Sequence, residues 1–172
     1  MAEEIIEQGY RELADTILEH NPGVDLGRVR AAFELADRAH SGQKRKAGTP
    51  YVTHCVAAAQ ICAEMGLDED SIVAALLHDC IEDTAITHED IARQFGAEVA
   101  DIVEGVTKLT RVQFTSREDE QMENLRKMLM AMAKDIRVIL IKIADRLHNM
   151  RTMEYMVAQK QLEKSLETME IY

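Results

Sequence analysis

The chain predicts an all-α fold, and three observations carry that expectation. Ala, Leu, Ile, Met, Glu and Lys dominate its 172 residues, and these favour helices over sheets. Only two prolines and eight glycines punctuate it, and aromatics make up 4%. Apolar residues recur at spacings of three and four, the period of a helix face buried on one side. A hydrophobic content of 47% suits one domain with a substantial core.

Taken in order, Ile6, Tyr10, Leu13 and Ile17 form the apolar stripe of a first helix over roughly residues 3 to 20, ended by Asn21-Pro22-Gly23. Asp25 is a plausible cap for a second helix, whose stripe is Val29, Phe33, Ala36 and Ala39 or His40. A lone histidine such as His40 on an apolar face is more often a core residue than a ligand. Residues 41 to 50 read as a loop with three consecutive cations, Lys44, Arg45 and Lys46. A third helix spans about 52 to 65, with Val52, Val56, Ala59 and Ala63 on one side and Gly66 as its stop. Asp68 or Asp70 caps a fourth helix whose buried stripe runs Ile72, Leu76, Asp79.

Thr84-Ala85-Ile86 breaks the chain, and Thr87 with Asp90 suggests a capping box, with His88 exposed in that first turn. Phe95-Gly96 ends this helix; another covers about 97 to 107, and 108 to 117 reads as a loop. Thr115 or Ser116 caps a helix carrying Leu125, Met128, Leu129 and Met132. Ten methionines read as adaptable core filler. The β-branched run from Asp135 to Ile143 could be a buried strand. No other segment offers it a partner strand, so helix is preferred. Residues 153 to 172 form a last amphipathic segment without a terminal cap.

A net charge of −11 argues against nucleic acid bound through a broad basic surface. Cys55, Cys62 and Cys80 form no CxxC pair and read as free thiols of a reducing compartment. No apolar run reaches membrane-spanning length, so no membrane association and a cytoplasmic location are expected.

The chemistry concentrates in Leu76-Leu77-His78-Asp79-Cys80-Ile81-Glu82-Asp83-Thr84. Taken alone, this charge at a helix end could be a solvated terminus. But Asp79 continues a buried stripe, and carboxylates are rarely buried unless paired or bound to a metal. At 3.6 residues per turn, His78 and Glu82 share one face, and Asp79 and Asp83 the next. His54 follows the basic loop directly. Asp145 lies in the apolar run of a later helix, on one face with Asn149 and Thr152. His54, His78, Asp79 and Asp145 form a candidate donor set for a borderline divalent ion such as Mn²⁺, Fe²⁺ or Zn²⁺. Water on such an ion is acidified, and Glu82 and Asp83 are then placed for proton transfer. Arg45 and Lys46 would suit phosphate oxygens or a purine face.

His54, then His78-Asp79 after 24 residues, then Asp145 after a further 66, resembles the HD metal-dependent phosphohydrolases. The segments 40–46, 51–54, 76–84, 105–109 and 143–152 resemble the hydrolase domain of the RelA/SpoT alarmone enzymes. That resemblance implies a compact multi-helix HD-domain bundle over 1–153, with 154–172 a helix leading toward a missing synthetase domain in the parent chain. It implies one Mn²⁺ held by His54, His78, Asp79 and Asp145. It implies Glu82 and Asp83 as the catalytic acidic pair, and Arg45, Lys46, Asn149 and Thr152 against the guanine nucleotide substrate. The expected reaction removes the 3'-pyrophosphate of (p)ppGpp, leaving GDP or GTP. The family usually has proline after its first histidine; Cys55 stands here, which removes a favourable first-turn residue but no ligand. The alternatives are an HD phosphohydrolase for another nucleotide and a non-catalytic alarmone-binding regulatory domain.

Overall fold

Two helices buried on nearly every side form the hub around which the others pack. The computed structural model describes residues 1–110 and 117–171, and no β-strand occurs among them. The first hub helix, α3 (Val52–Glu64), buries His54, Cys55, Val56, Ala58, Ala59, Ile61, Cys62 and Ala63. Small side chains let it lie close to its neighbours. Its end is a Schellman turn: Gly66, at φ +70°, donates to Ala63, and Leu67 donates to the Cys62 carbonyl. The second, α4 (Glu69–Leu77), is capped by Asp68, which accepts from the Ser71 amide, and is buried from Ser71 to Leu77.

On one side α1 (Ala2–His20) lays Tyr10, Leu13 and Ile17 against α3, as its stripe predicts. Then α2 (Leu26–Ala39), capped by Asp25 as predicted, buries Val29, Phe33 and Ala36 and packs on α4, with Phe33 stacked on Tyr10 of α1. On the other side α6 (His88–Phe95) and α7 (Ala97–Thr110) pack together, and α7 covers α4. The Thr87–Asp90 capping box is present, and Gly96 ends α6 at φ +98°. The β-branched run is helix: α9 (Ile136–Arg151), capped by Asp135, crosses α3 and α7. It approaches α7 at Gly105, where a Cβ would lie 2.9 Å from a Val138 methyl.

Four expectations are corrected. The helix through the central motif does not run on. His78 is the C-cap of α4, Asp79 sits at φ −98° and ψ −1°, and a separate short helix α5 (Cys80–Asp83) follows. Of the predicted loop at 108–117, residues 108–110 belong to α7 (Ala97–Thr110) and Arg117 is helical; residues 111–116, with the proposed caps Thr115 and Ser116, lie outside the described residues. On α8 (Arg117–Lys134) the predicted core positions Leu125 and Leu129 are more than half exposed, as are Met122 and Met130, so these methionines are not core filler. His88 is only about one-third exposed (34% of its side chain) and donates to Asp101 across 2.8 Å.

The chain closes with a 3₁₀ turn (Met153–Tyr155) and α10 (Ala158–Ile171), which packs on α8 and α9. All three cysteines are free and buried. Among the described residues no helix is long and apolar enough to cross a membrane.

Candidate metal centre

Three separated segments deliver four donors to one point. His54 comes from the first turn of α3, His78 and Asp79 from the break after α4, and Asp145 from the middle of α9. One donor atom from each lies within 4.8 Å of the others. The His54 Nε2 is 2.8 Å from Asp145 Oδ1 and 3.6 Å from Asp79 Oδ2. The His78 Nε2 is 3.0 Å from Asp79 Oδ2 and 3.5 Å from Asp145 Oδ1. The break at His78–Asp79 makes this possible, because on a continuous helix adjacent residues diverge by about 100°.

The imidazole of His78 is held from behind. Its Nδ1 donates to the Ala75 carbonyl across 2.6 Å, which leaves the lone pair on Nε2. That Nε2 is fully buried and has no hydrogen bond of acceptable geometry, although a carboxylate oxygen lies 3.0 Å away. A lone pair on that buried nitrogen would face two carboxylates, a mismatch that a proton on Nε2 or a metal ion resolves.

Electrostatics agree. Burial opposes a charged His78, but Asp79 and Asp145 outweigh it and push the imidazole well above its ordinary value. Burial likewise opposes charge on Asp79 and Asp145. The neighbouring histidines nevertheless hold both carboxyls well below the usual carboxylate range. His54 is pushed down by burial, against the pull of Asp145, and is therefore neutral. Near neutral pH the cluster holds two carboxylates that need positive charge, supplied by a proton on His78 or by a metal ion. Two imidazoles and two carboxylates fit a borderline divalent ion.

Around the four donors stands a ring of supports. Tyr51 Oη donates to Asp79 Oδ2 across 2.8 Å, and Lys142 Nζ donates to Asp145 Oδ2 across 3.0 Å. Asn149 Nδ2 donates to Asp145 Oδ1 across 3.3 Å. The Nδ1 atoms of His54 and His148 are 2.7 Å apart. Tyr51, Lys142 and His148 were not singled out by the sequence. Each lies three residues from a donor, one helical turn away, and that spacing was the available signal.

The basic stretch is an ordered turn. Lys44 bridges Pro50, and Arg45 donates its amide to Thr49 and accepts from Gly48, whose φ of +87° suits glycine. This turn sends Arg45 inward, where its Nη2 donates to Asn149 Oδ1 at 2.9 Å and Thr152 Oγ1 at 3.4 Å. Lys46 points outward and is exposed. Glu82 is half-buried on α5, and Asp83 is exposed. Local desolvation and the charge of Asp79 push the Asp83 carboxyl up. Gln43 ties the turn to α5 by donating to the Asp83 carbonyl at 3.1 Å. His40 is buried beside the site, with its Nδ1 3.0 Å from Gln43 Oε1 and its ring against Tyr51. It supports the turn and lies outside the donor cluster.

The family of HD domains matches residues 32–172, and the chain belongs to that family. Within it, the expected kinship with the RelA/SpoT enzymes holds. The bifunctional (p)ppGpp synthase/hydrolase SpoT of Escherichia coli (strain K12) is 49% identical over 95% of this chain and 23% of its own length. A GTP pyrophosphokinase of Myxococcus xanthus is 48% identical over 91% of this chain and 21% of its own length. The chain thus spans less than a quarter of the curated relatives it matches. A solved structure of a metazoan ortholog of SpoT, described as hydrolysing ppGpp and playing a role in starvation responses, superposes with a TM-score of 0.69 at 29% identity. That match covers 84% of this chain and 83% of the other.

Proposed function

We propose that this domain is a Mn²⁺-dependent hydrolase that removes the 3'-pyrophosphate of (p)ppGpp, yielding GDP or GTP. The convergence of His54, His78, Asp79 and Asp145 around a buried, unmatched His78 Nε2 carries the reading. Those four residues hold the ion. When bound, the ion supplies Lewis acidity at phosphate oxygens and makes water a stronger acid. Glu82 and Asp83, beside the centre on α5, handle protons. A carboxyl pushed up, as in Asp83, sits closer to the pH at which a proton can be both taken and returned. Arg45, Lys46, Asn149 and Thr152 bind the nucleotide. At rest Arg45 spends its Nη2 on Asn149 and Thr152, so a substrate touching any of the three exchanges those bonds.

In the same reading the protein works in the cytoplasm, turning over the alarmone of the stringent response. Residues 1–153 are the hydrolase domain, and 154–172 lead toward a synthetase domain in the parent chain. The net charge of −11 argues against a nucleic-acid surface, and an anionic substrate then needs the local positive charge that Arg45, Lys46 and a bound cation supply. The relative named as a GTP pyrophosphokinase keeps one second reading open, a non-catalytic alarmone-binding module.

The test is the 172-residue chain with Mn²⁺ and ppGpp, followed for GDP and pyrophosphate, beside His78→Ala. Turnover should appear in the wild-type chain and fall at least about a hundredfold in the variant, because a ligand is lost. Hydrolysis of other nucleotides but not ppGpp would overturn the substrate. Tight ppGpp binding without turnover in any divalent metal would favour the non-catalytic module.

A further inference from the structure

The His54–His148 contact has a consequence that goes beyond the four donors, and it rests on the metal-centre reading above. The two Nδ1 atoms are 2.7 Å apart, so one proton lies between them. Two neutral imidazoles can share it in two ways. With the proton on His54 Nδ1, His148 Nδ1 accepts, and the His54 Nε2 turns a lone pair toward Asp145, 2.8 Å away, an arrangement that a cation bound to both atoms stabilises. With the proton on His148 Nδ1, the only proton of His54 lies on Nε2 and blocks that face. Only the first arrangement lets His54 bind a cation.

We infer that His148 is a positioning residue, the acceptor that holds His54 in the tautomer whose Nε2 is open to the metal ion. His148 is not itself a ligand, because it engages the face of His54 opposite Asp145 and lies outside the donor cluster. It is well placed for the task. It sits on α9, three residues after Asp145, and its own carbonyl accepts from Thr152 Oγ1 at 3.0 Å. One helix therefore supplies a ligand and also sets the protonation of a second ligand on α3. Without an acceptor at 148, a proton on His54 Nδ1 would be a buried donor without a partner. The proton would then move to Nε2, where Asp145 accepts it, and the ion would have to displace it.

The experiment measures Mn²⁺ binding by calorimetry to the 172-residue chain, with thermal midpoints taken without metal. His148→Leu removes the acceptor and keeps bulk; His148→Gln and His148→Asn each return a side-chain oxygen that can accept from His54 Nδ1. The expected result is a loss of about 10- to 100-fold in Mn²⁺ affinity for His148→Leu, the usual size of an outer-shell effect. At least one amide variant should recover most of that loss, although both differ from imidazole in shape as much as leucine does. A purely structural role would give equal losses in all three variants, and that outcome overturns the inference. So does wild-type affinity in His148→Leu. His78→Ala separates the two readings. If it abolishes binding while His148→Leu does not change it, the metal centre stands and the role of His148 falls. If His78→Ala binds as tightly as wild type, the metal centre itself falls.

Discussion

Asp79 Oδ2 is shared between the His78 Nε2, 3.0 Å away, and the Tyr51 hydroxyl, which donates to it from 2.8 Å. The hydroxyl fixes where the carboxylate points, and the Tyr51 ring packs separately on His40 and His54, with centroids 4.7 and 5.8 Å away. Tyr51→Phe therefore removes one function and leaves the other. A hydrogen bond to a charged acceptor contributes about 1.5–3 kcal/mol, part of which water can restore. The Mn²⁺ affinity of Tyr51→Phe should fall by about tenfold, and the metal-free thermal midpoint by about 3–6 °C, the cost of about 1.5 kcal/mol in a chain of this length. Unchanged affinity would mean that Asp79 is held by the break after α4 alone. The four donors were legible from residue type and burial pattern, because a carboxylate on an apolar stripe is costly unless something meets it. Tyr51, Lys142 and His148 were not, because each has an ordinary reason to be where it is. Only their contacts across three helices give them another.

Arg137 joins elements distant in sequence. From the first turn of α9 it reaches its own N-cap Asp135, the α4 cap Asp68 at 2.8 Å, and Glu98 on α7. Burial pushes Asp68 up, but Ser71 and Arg137 together hold it below its ordinary value. Arg137 is the main cause of the lowered Asp135. A lowered carboxylate contributes stability above its unfolded value, about 3.9, and that contribution is lost as pH falls through the lower folded value. Stability should therefore drop on the acid side below about pH 4. Arg137→Leu should cost about 2 kcal/mol at neutral pH and flatten that acid limb, as read by urea melts at several pH values. Equal slopes in both proteins would mean that other groups, Asp79 and Asp145 among them, carry the acid sensitivity.

At the scale of elements, caps and breakers were the readable part. Asp25, Asp68, Thr87 with Asp90, Gly66 and Gly96 act where the sequence places them, since each satisfies or ends a helix locally. The break at His78–Asp79 was not readable, because no glycine or proline marks it. Packing and the cluster it builds hold that turn. The α8 stripe misled for the opposite reason. Leu125 and Leu129 have helical spacing, but spacing alone does not say whether another element covers them.

Across the whole molecule, the centre ties together three segments distant in sequence: the start of α3, the end of α4 and the middle of α9. An ion that binds the folded chain and not the unfolded one stabilises all of it at once. At a free concentration of 100 times Kd the gain is about 2.7 kcal/mol. For a chain of this length about 2–4 °C accompanies each kcal/mol, so Mn²⁺ should raise the thermal midpoint by about 5–10 °C. The rise should vanish with chelator. It should also vanish in Asp145→Asn, which keeps the side-chain shape and removes the charge. The sign of its pH dependence follows from His78. Because its folded value is raised, its proton stabilises the metal-free chain fully below about pH 6.5, and that contribution is lost as pH rises through the raised value. The ion must displace the same proton, so binding strengthens over the same interval. This single proton exchange widens the gap between loaded and metal-free chains as pH increases from 6 to 8. A gap that narrows instead would mean that the ion does not use the His78 nitrogen, and the donor set would have to be redrawn without it.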